Sequence, residues 1–154
     1  MINNNSIKIV FWLLFQSINC LIFAQEKLSV MTYNIRYDNP NDSLDQWSHR
    51  KKILTDQILF YAPDILGIQE GLLHQIEYIK ENLKDYKYLG VGRDDGEKKG
   101  EYCALFYKNE FLTPIKNGTF WLSKSPETPS KDWDAALPRI CTYAYFSYKK
   151  NQEI

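Results

Sequence analysis

The sequence predicts an α/β layered domain built on a mixed sheet, and three observations predict it. Short apolar runs alternate with stretches of helical periodicity in the first half of the chain. The second half supplies strand-like runs only, so the order reads strand, helix, strand, helix, then several strands. Two of the strands end on polar side chains, Asn34 and Glu70. If those strands run parallel, both residues share the sheet edge where ligands of α/β folds bind.

The first strand is Leu28 to Asn34, followed by the turn-rich loop Ile35 to Ser43. Trp47 introduces a helix from about Ser48 to Tyr61. Leu54, Ile58 and Tyr61 fall on one face, Ser48 is placed to cap the first turn, and Pro63 stops it. The run Pro63 to Gln69 reads as a buried strand that leaves the core at Glu70. Gly71 opens a second helix, with Leu72, Ile76, Ile79 and Leu83 at helical spacing. Tyr86 to Val91 is a strand, Gly92 to Glu101 a charged, glycine-rich loop, and Tyr102 to Tyr107 another strand. Phe111 to Leu122 supplies one or two strands, with a hairpin break at Asn117-Gly118. Ser123 to Ala136 is a loop, Ile140 to Tyr148 a last strand, and Lys149 to Gln152 a turn. A strand running into a turn expects a further partner, so an unpaired edge is foreseen there.

The chain has 154 residues, enough for one domain with a core. Apolar residues make up 44% and aromatics 15%, which excludes a disordered chain. The net charge is zero, so stable nucleic-acid binding is not expected from charge. Lys8, the apolar block Ile9 to Phe15 and the run Leu21 to Ala24 read as a secretory signal over residues 1–24, cleaved near Ala24. The competing reading is a retained membrane anchor. A lipid anchor on Cys20 is disfavoured by Asn19 before it. The signal implies a secreted or periplasmic protein, off the membrane once cleaved, with residues 25–154 as its domain. Cys103 and Cys141 remain; a disulfide is permitted in that compartment, but buried filler is the favoured reading. No CxxC or His/Cys cluster marks a zinc site.

Glu70 beside Asn34 suits a magnesium-assisted phosphoryl reaction, because magnesium takes oxygen ligands and needs few protein carboxylates. The bland alternative is a pair of solvated strand-end groups. Arg36, Arg50, Arg93 and Arg139 are phosphate-binding candidates. Arg139 stands out because it follows Pro138 and opens a strand. His49 and His74 read as surface residues, with no serine or cysteine pattern beside them for a triad. The Gly92–Gly100 loop lacks the strand-to-helix context of a phosphate-binding loop. Trp121, Trp133, Tyr37 and Phe120 read as core or cleft floor rather than base-stacking residues.

Several ordered motifs carry a resemblance. They are Met31-Thr32-Tyr33-Asn34-Ile35-Arg36, Asp64-Ile65-Leu66-Gly67-Ile68-Gln69-Glu70, Gly92-Arg93-Asp94-Asp95-Gly96 with Gly100-Glu101, Phe120-Trp121-Leu122-Ser123, and Trp133-Asp134-Ala135-Ala136 with Arg139. Together they resemble the secreted bacterial branch of the endonuclease/exonuclease/phosphatase superfamily, over about Leu28 to Tyr148. The resemblance implies a four-layer α/β sandwich of the DNase I-like type, of which the N-terminal half to two-thirds is present. It implies a phosphoesterase dependent on Mg2+ (or Mn2+), acting by in-line water attack on a phosphoester substrate of unknown class. Glu70 would be the metal ligand, with Asn34, Arg139 and Glu101 at the catalytic centre. Family members continue with an Asn-Thr-His-type strand, an Asp-x-Asn site and an Asp-His pair, and this sequence ends before them. The resemblance therefore implies a fragment, with no turnover on its own and a sheet face open to self-association. The alternative is a non-catalytic half-domain that serves as a binding module, or a non-functional truncated product.

Overall fold

The computed structural model describes residues 27–148. The expected signal segment and cleavage point and the expected turn at Lys149 to Gln152 lie outside the described residues. Among the described residues six strands and two α-helices follow one another in the expected order, with a single 3-10 turn at Ser43–Asp45 before the first α-helix. They are β1 (Val30–Asn34), α1 (Trp47–Tyr61), β2 (Ile65–Gly71), α2 (Leu73–Asn82), β3 (Tyr86–Leu89), β4 (Tyr102–Lys108), β5 (Leu112–Trp121) and β6 (Ile140–Tyr148). Four strands form a mixed sheet in the order β1-β2-β4-β3, and β5 and β6 form a separate antiparallel ribbon. None of the described helices is long and apolar enough to cross a membrane.

β1 and β2 are parallel, with Val30 opposite Ile65 and Asn34 opposite Gln69. The crossover between them is α1, as a parallel pair requires. Alternate residues of the sheet point at the helices. Leu66, Ile68, Ala104 and Phe106 pack there with Leu54 and Ile58 of α1 and with Ile76 and Ile79 of α2. Leu66, Ile58, Ile76 and Phe106 are fully buried; each such side chain contributes about 1.5–3 kcal/mol of burial.

The start of β1 is pinned to the start of β2. The Asp64 carboxylate accepts from the Ser29 N–H and hydroxyl, both at 2.8 Å, and from the Lys108 ammonium at 3.0 Å. Burial acts to raise the Asp64 carboxyl, but the two Ser29 donors and Lys108 outweigh it and hold it below its usual value. A depressed folded-state value gives stability that is present above the unfolded value of about 3.9 and lost as pH falls through the folded value. Thermal unfolding should therefore show Tm falling as pH drops below about 4. Asp64→Asn should lower stability at pH 7 by about 2 kcal/mol and flatten that acid limb; an unchanged limb would show that Asp64 does not set it.

Four expectations are corrected. Ser48 does not cap α1: the helix begins one residue earlier, Gln46 is the N-cap, and no side chain caps it. Tyr61 does not join the core. It lies in the last turn before Ala62 reverses the chain at φ 43°, and its ring packs edge-to-face on Phe60 at the surface. The break at Asn117-Gly118 is absent, because both residues sit in one continuous strand paired with Ala144 and Tyr143. Gly118 is used for space: a Cβ there would lie 3.1 Å from the Tyr143 ring. The irregularity of β5 falls instead between Pro114 and Lys116, where proline removes a donor from the ladder. β6 pairs with β5 on one side only, so the unpaired edge foreseen there is present among the described residues. Cys103 is half-buried but Cys141 is exposed, and both are free thiols, so buried filler describes Cys103 alone.

Candidate active site

The carboxyl ends of β1 and β2 open onto a cleft of about 340 Å³, within the size range of small-ligand sites. Asn34, Glu70, Glu101 and Arg139, four residues from four separate stretches of sequence, all line it, together with Arg93 and Gln69. The parallel pairing of β1 and β2 brings the first two together: Asn34 Nδ2 donates to Glu70 Oε1 at 2.8 Å. The amide cannot flip without loss, because its Oδ1 accepts from the Arg36 N–H at 2.9 Å.

Glu70 reaches the cleft through a bulge. β2 pairs Ile68 with Ala104 and then Gly71 with Tyr102, so β2 carries one residue more than β4 over that interval. Glu70 takes up the difference with φ 62°, a left-handed conformation that costs a non-glycine residue about 1–2 kcal/mol. The bulge turns this carboxylate out of the alternation that aims Leu66 and Ile68 into the core. Gln69 steadies the turn: its Nε2 donates to Thr32 Oγ1 and to the Gly67 carbonyl, both at 3.2 Å.

The loop after β1 is clamped from both helices. Arg50 of α1 donates to the carbonyls of Ile35 at 2.7 Å and Arg36 at 3.3 Å. Gln75 of α2 is fully buried and donates to the Arg36 carbonyl at 3.0 Å. Its Oε1 accepts from Asp38 N at 3.1 Å and Leu72 N at 3.0 Å. Arg36 itself turns away and pairs with Asp42, whose carboxyl the guanidinium holds below its usual value. Neither clamp was singled out by the sequence for this task, though a glutamine three residues into a helix is a known capping position.

On the opposite wall, Glu101 is held by Arg93. The guanidinium donates from Nη1 and Nη2 to the two Glu101 oxygens, each at 2.9 Å, a bidentate geometry. Arg93 is 8% exposed, and its Nε is buried without a hydrogen-bond partner among the described residues. The loop that carries this pair is ordered rather than a solvated charge run. Asp95 Oδ1 accepts from the N–H groups of Glu97, Lys98 and Lys99, and these donors, Lys99 first, hold its carboxyl below the usual range. Gly92 has no room for a side chain: a Cβ would lie 2.2 Å from the Lys99 carbonyl oxygen. Trp121 ties β5 to the loop by donating from its indole to the Arg93 carbonyl at 2.7 Å. The charged residues at the two ends of the glycine-rich segment, Arg93 and Glu101, were the available sequence signal.

Arg139 behaves differently. It is exposed at the head of β6, and its guanidinium has no hydrogen-bond or ion-pair partner among the described residues. The cleft therefore holds one carboxylate with an oxygen to spare, Glu70 Oε2, and one unengaged guanidinium. His74 lies elsewhere, 2.9 Å from Asp38, and His49 faces Leu44. Burial raises the Cys103 thiol at the cleft wall, with Cys141 a smaller influence in the same direction. A proton on that sulfur leaves it a poor nucleophile.

The donor set fits a magnesium-type ion. Glu70 offers a free oxygen beside an amide, and no group of three His, Cys, Asp or Glu side chains is gathered among the described residues as a zinc site would need.

A family model for the Endonuclease/Exonuclease/phosphatase family matches residues 31–140. The chain is 44% identical to a mannosyl-6-phosphatase of Bacteroides thetaiotaomicron, covering 79% of this chain and 46% of that one with a TM-score of 0.77. It is 39% identical to an endonuclease/exonuclease/phosphatase of Bacteroides vulgatus, covering 79% and 46% with a TM-score of 0.74. It is also 30% identical over 106 residues to the 3'-5'-exoribonuclease subunit Ccr4 of the CCR4-Not complex of Mycosarcoma maydis, covering 56% of this chain and 16% of that protein. The chain thus spans about half the length of the two solved structures and a sixth of the curated relative. The fold is the α/β sandwich of these neighbours, of which the mixed sheet, its two helices and the β5–β6 ribbon form part.

Proposed function

The chain belongs to the endonuclease/exonuclease/phosphatase family, and from that premise we propose that the protein carrying it hydrolyses phosphoester bonds with a divalent cation held at Glu70. The observation that carries this reading is the convergence of Asn34, Glu70, Arg139 and the Arg93–Glu101 pair on one cleft. Arg139 is placed to grip the phosphate, since its guanidinium is free and matches two phosphate oxygens at once. Asn34 holds Glu70 in one orientation and keeps its second oxygen open to the cleft. Arg93 holds both Glu101 oxygens and directs the carboxylate along the opposite wall. When bound, Mg2+ or Mn2+ supplies positive charge beside the phosphoryl and leaving oxygens. Water adds to phosphorus in line as the ester P–O bond breaks, and the leaving oxygen gains a proton.

Among the described residues that line the cleft, Glu70 is committed to the cation and no other side chain is free to take the proton of the attacking water. Glu101 is engaged by both oxygens and the histidines lie elsewhere. General base catalysis contributes about 10²–10⁴-fold. The 154-residue chain by itself should therefore give no turnover, and the proposed activity is that of a whole family domain, of which the chain spans about half. Robust hydrolysis by this chain alone would contradict that assignment. The apolar tract before Lys27 supports a secreted or periplasmic site of action.

For the substrate, the 44% identity to a mannosyl-6-phosphatase supports a sugar phosphomonoester. The zero net charge speaks against a polynucleotide. The test is a panel of sugar 6-phosphates, nucleotides and RNA, offered with Mg2+ and with chelator to a whole family domain that contains this chain. Turnover of sugar monoesters with Mg2+ only is expected. Preference for RNA would favour the exoribonuclease relative instead.

A further inference from the structure

The motif Trp133-Asp134-Ala135-Ala136 runs on to Arg139, and the phosphoester chemistry uses only the arginine. The loop that carries the motif stands on the rim of the cleft. At its foot Leu122 N donates to the Arg139 carbonyl at 2.8 Å, and both residues line the cleft. Above the foot the loop is tied across itself. Asp132 Oδ2 accepts from Lys124 N at 2.7 Å, and Lys131 Nζ donates to the Ala136 carbonyl at 3.2 Å.

Trp133 is held in a turn that does not suit it. Ala135 N donates to the Asp132 carbonyl at 3.1 Å, closing a β-turn whose two central residues are Trp133 and Asp134. Their φ angles are 55° and 60°. Positive φ at both central positions favours glycine and asparagine, and a bulky side chain is strained there. The turn also leaves the ring in water. Trp133 is 68% exposed and its indole has no hydrogen-bond or ring partner among the described residues. Trp47 and Trp121 are buried, the first edge-to-face on Tyr78 and the second bonded to the Arg93 carbonyl. A lone exposed aromatic is ordinary. A tryptophan strained in a tied loop, with its ring turned to solvent, is one kept for what the ring meets.

The surroundings match a sugar. The ring lines an open hollow of about 490 Å³ with Lys131 and Asp134. The Asp134 carboxylate has no partner among the described residues, and Lys131 Nζ spends one of its three donors on Ala136. An apolar platform flanked by an acceptor and a donor suits a pyranose. The C–H groups of one sugar face pack on the indole while its hydroxyls meet Asp134 and Lys131. A nucleotide would stack as well, but it would bring its phosphate beside the Asp134 carboxylate.

We propose that the Trp133 hollow is a saccharide subsite on the cleft rim, where the indole, Asp134 and Lys131 hold a neutral sugar unit of a phosphorylated glycan. The role of this unit in turnover rests on the sugar phosphomonoester reading; its binding needs neither phosphate nor metal.

The test is an NMR titration of the 154-residue chain with mannotriose in the absence of divalent cations, following the tryptophan indole N–H signals. The expected result is a shift at Trp133 and not at Trp47 or Trp121, with affinity at least about tenfold lower in Trp133→Asn. Asparagine suits the turn, so that variant should keep or raise Tm and a loss of binding is not a loss of fold. Glu70→Gln should bind mannotriose like the unaltered chain, which separates a failed sugar site from a failed cation site. No binding, equal binding in Trp133→Asn, loss of binding in Glu70→Gln, shifts at Trp47 or Trp121 instead, or tighter binding of AMP than of mannotriose would each overturn the proposal.

Discussion

Glu70→Gln is expected to lower kcat/KM of a whole family domain that contains this chain by about 10³-fold, or about 4 kcal/mol of transition-state stabilisation. The substitution keeps the size of the side chain, and its amide oxygen can still accept from Asn34 Nδ2. What disappears is the negative charge facing the cleft, which is the feature a divalent cation needs. Glu70 is also strained, with φ 62° at the bulge of β2. Glycine, which lacks a Cβ, relieves that strain, so Glu70→Gly should stabilise the fold slightly while abolishing activity. Opposite signs for stability and activity at one position would mark a residue kept for chemistry. Steady-state kinetics at saturating Mg2+, with a thermal melt of each variant, checks both. A loss of less than tenfold in Glu70→Gln would place the metal site elsewhere.

Arg139→Ala is expected to lower kcat/KM by about 10²-fold or more, with Arg139→Lys recovering only part of it. The guanidinium has no described partner to lose, so its removal should leave Tm unchanged within about 0.5 kcal/mol of stability. Arg93 makes the contrast. It is buried and bidentate to Glu101, and its removal leaves a carboxylate without its counter-charge. Two arginines in one cleft thus separate by readout: Arg139 through kinetics alone, Arg93 through kinetics and stability together. Normal kinetics for Arg139→Ala would remove it from the phosphate site.

The sequence made the parallel edge legible because two local signals agreed: an apolar run of strand length, and a polar residue at its end. Asn34 and Glu70 could therefore be paired before any contact was known, and they do meet at 2.8 Å. Arg139 was legible for a similar reason, since a proline before a strand marks where the chain enters the sheet. The bulge that turns Glu70 toward the cleft was not legible. It depends on how β2 registers with β4, and register is a tertiary quantity that no local run contains. The Arg93–Glu101 pair lay inside a segment whose many charges read as solvated. Its burial follows from Trp121 of β5 closing over the loop, a contact 28 residues distant in sequence. The apparent turn at Asn117-Gly118 misled because the dipeptide that favours a hairpin also suits a strand in which Gly118 makes space for the Tyr143 ring.

The central claim is that the Asn34–Glu70 corner holds a divalent cation. Water-proton relaxation in a Mn2+ titration tests it on the 154-residue chain itself, without requiring turnover. One Mn2+ should bind per chain, competed by Mg2+, with affinity reduced at least about tenfold in Glu70→Gln. Mn2+ binding of equal strength in the Glu70→Gln chain would contradict it.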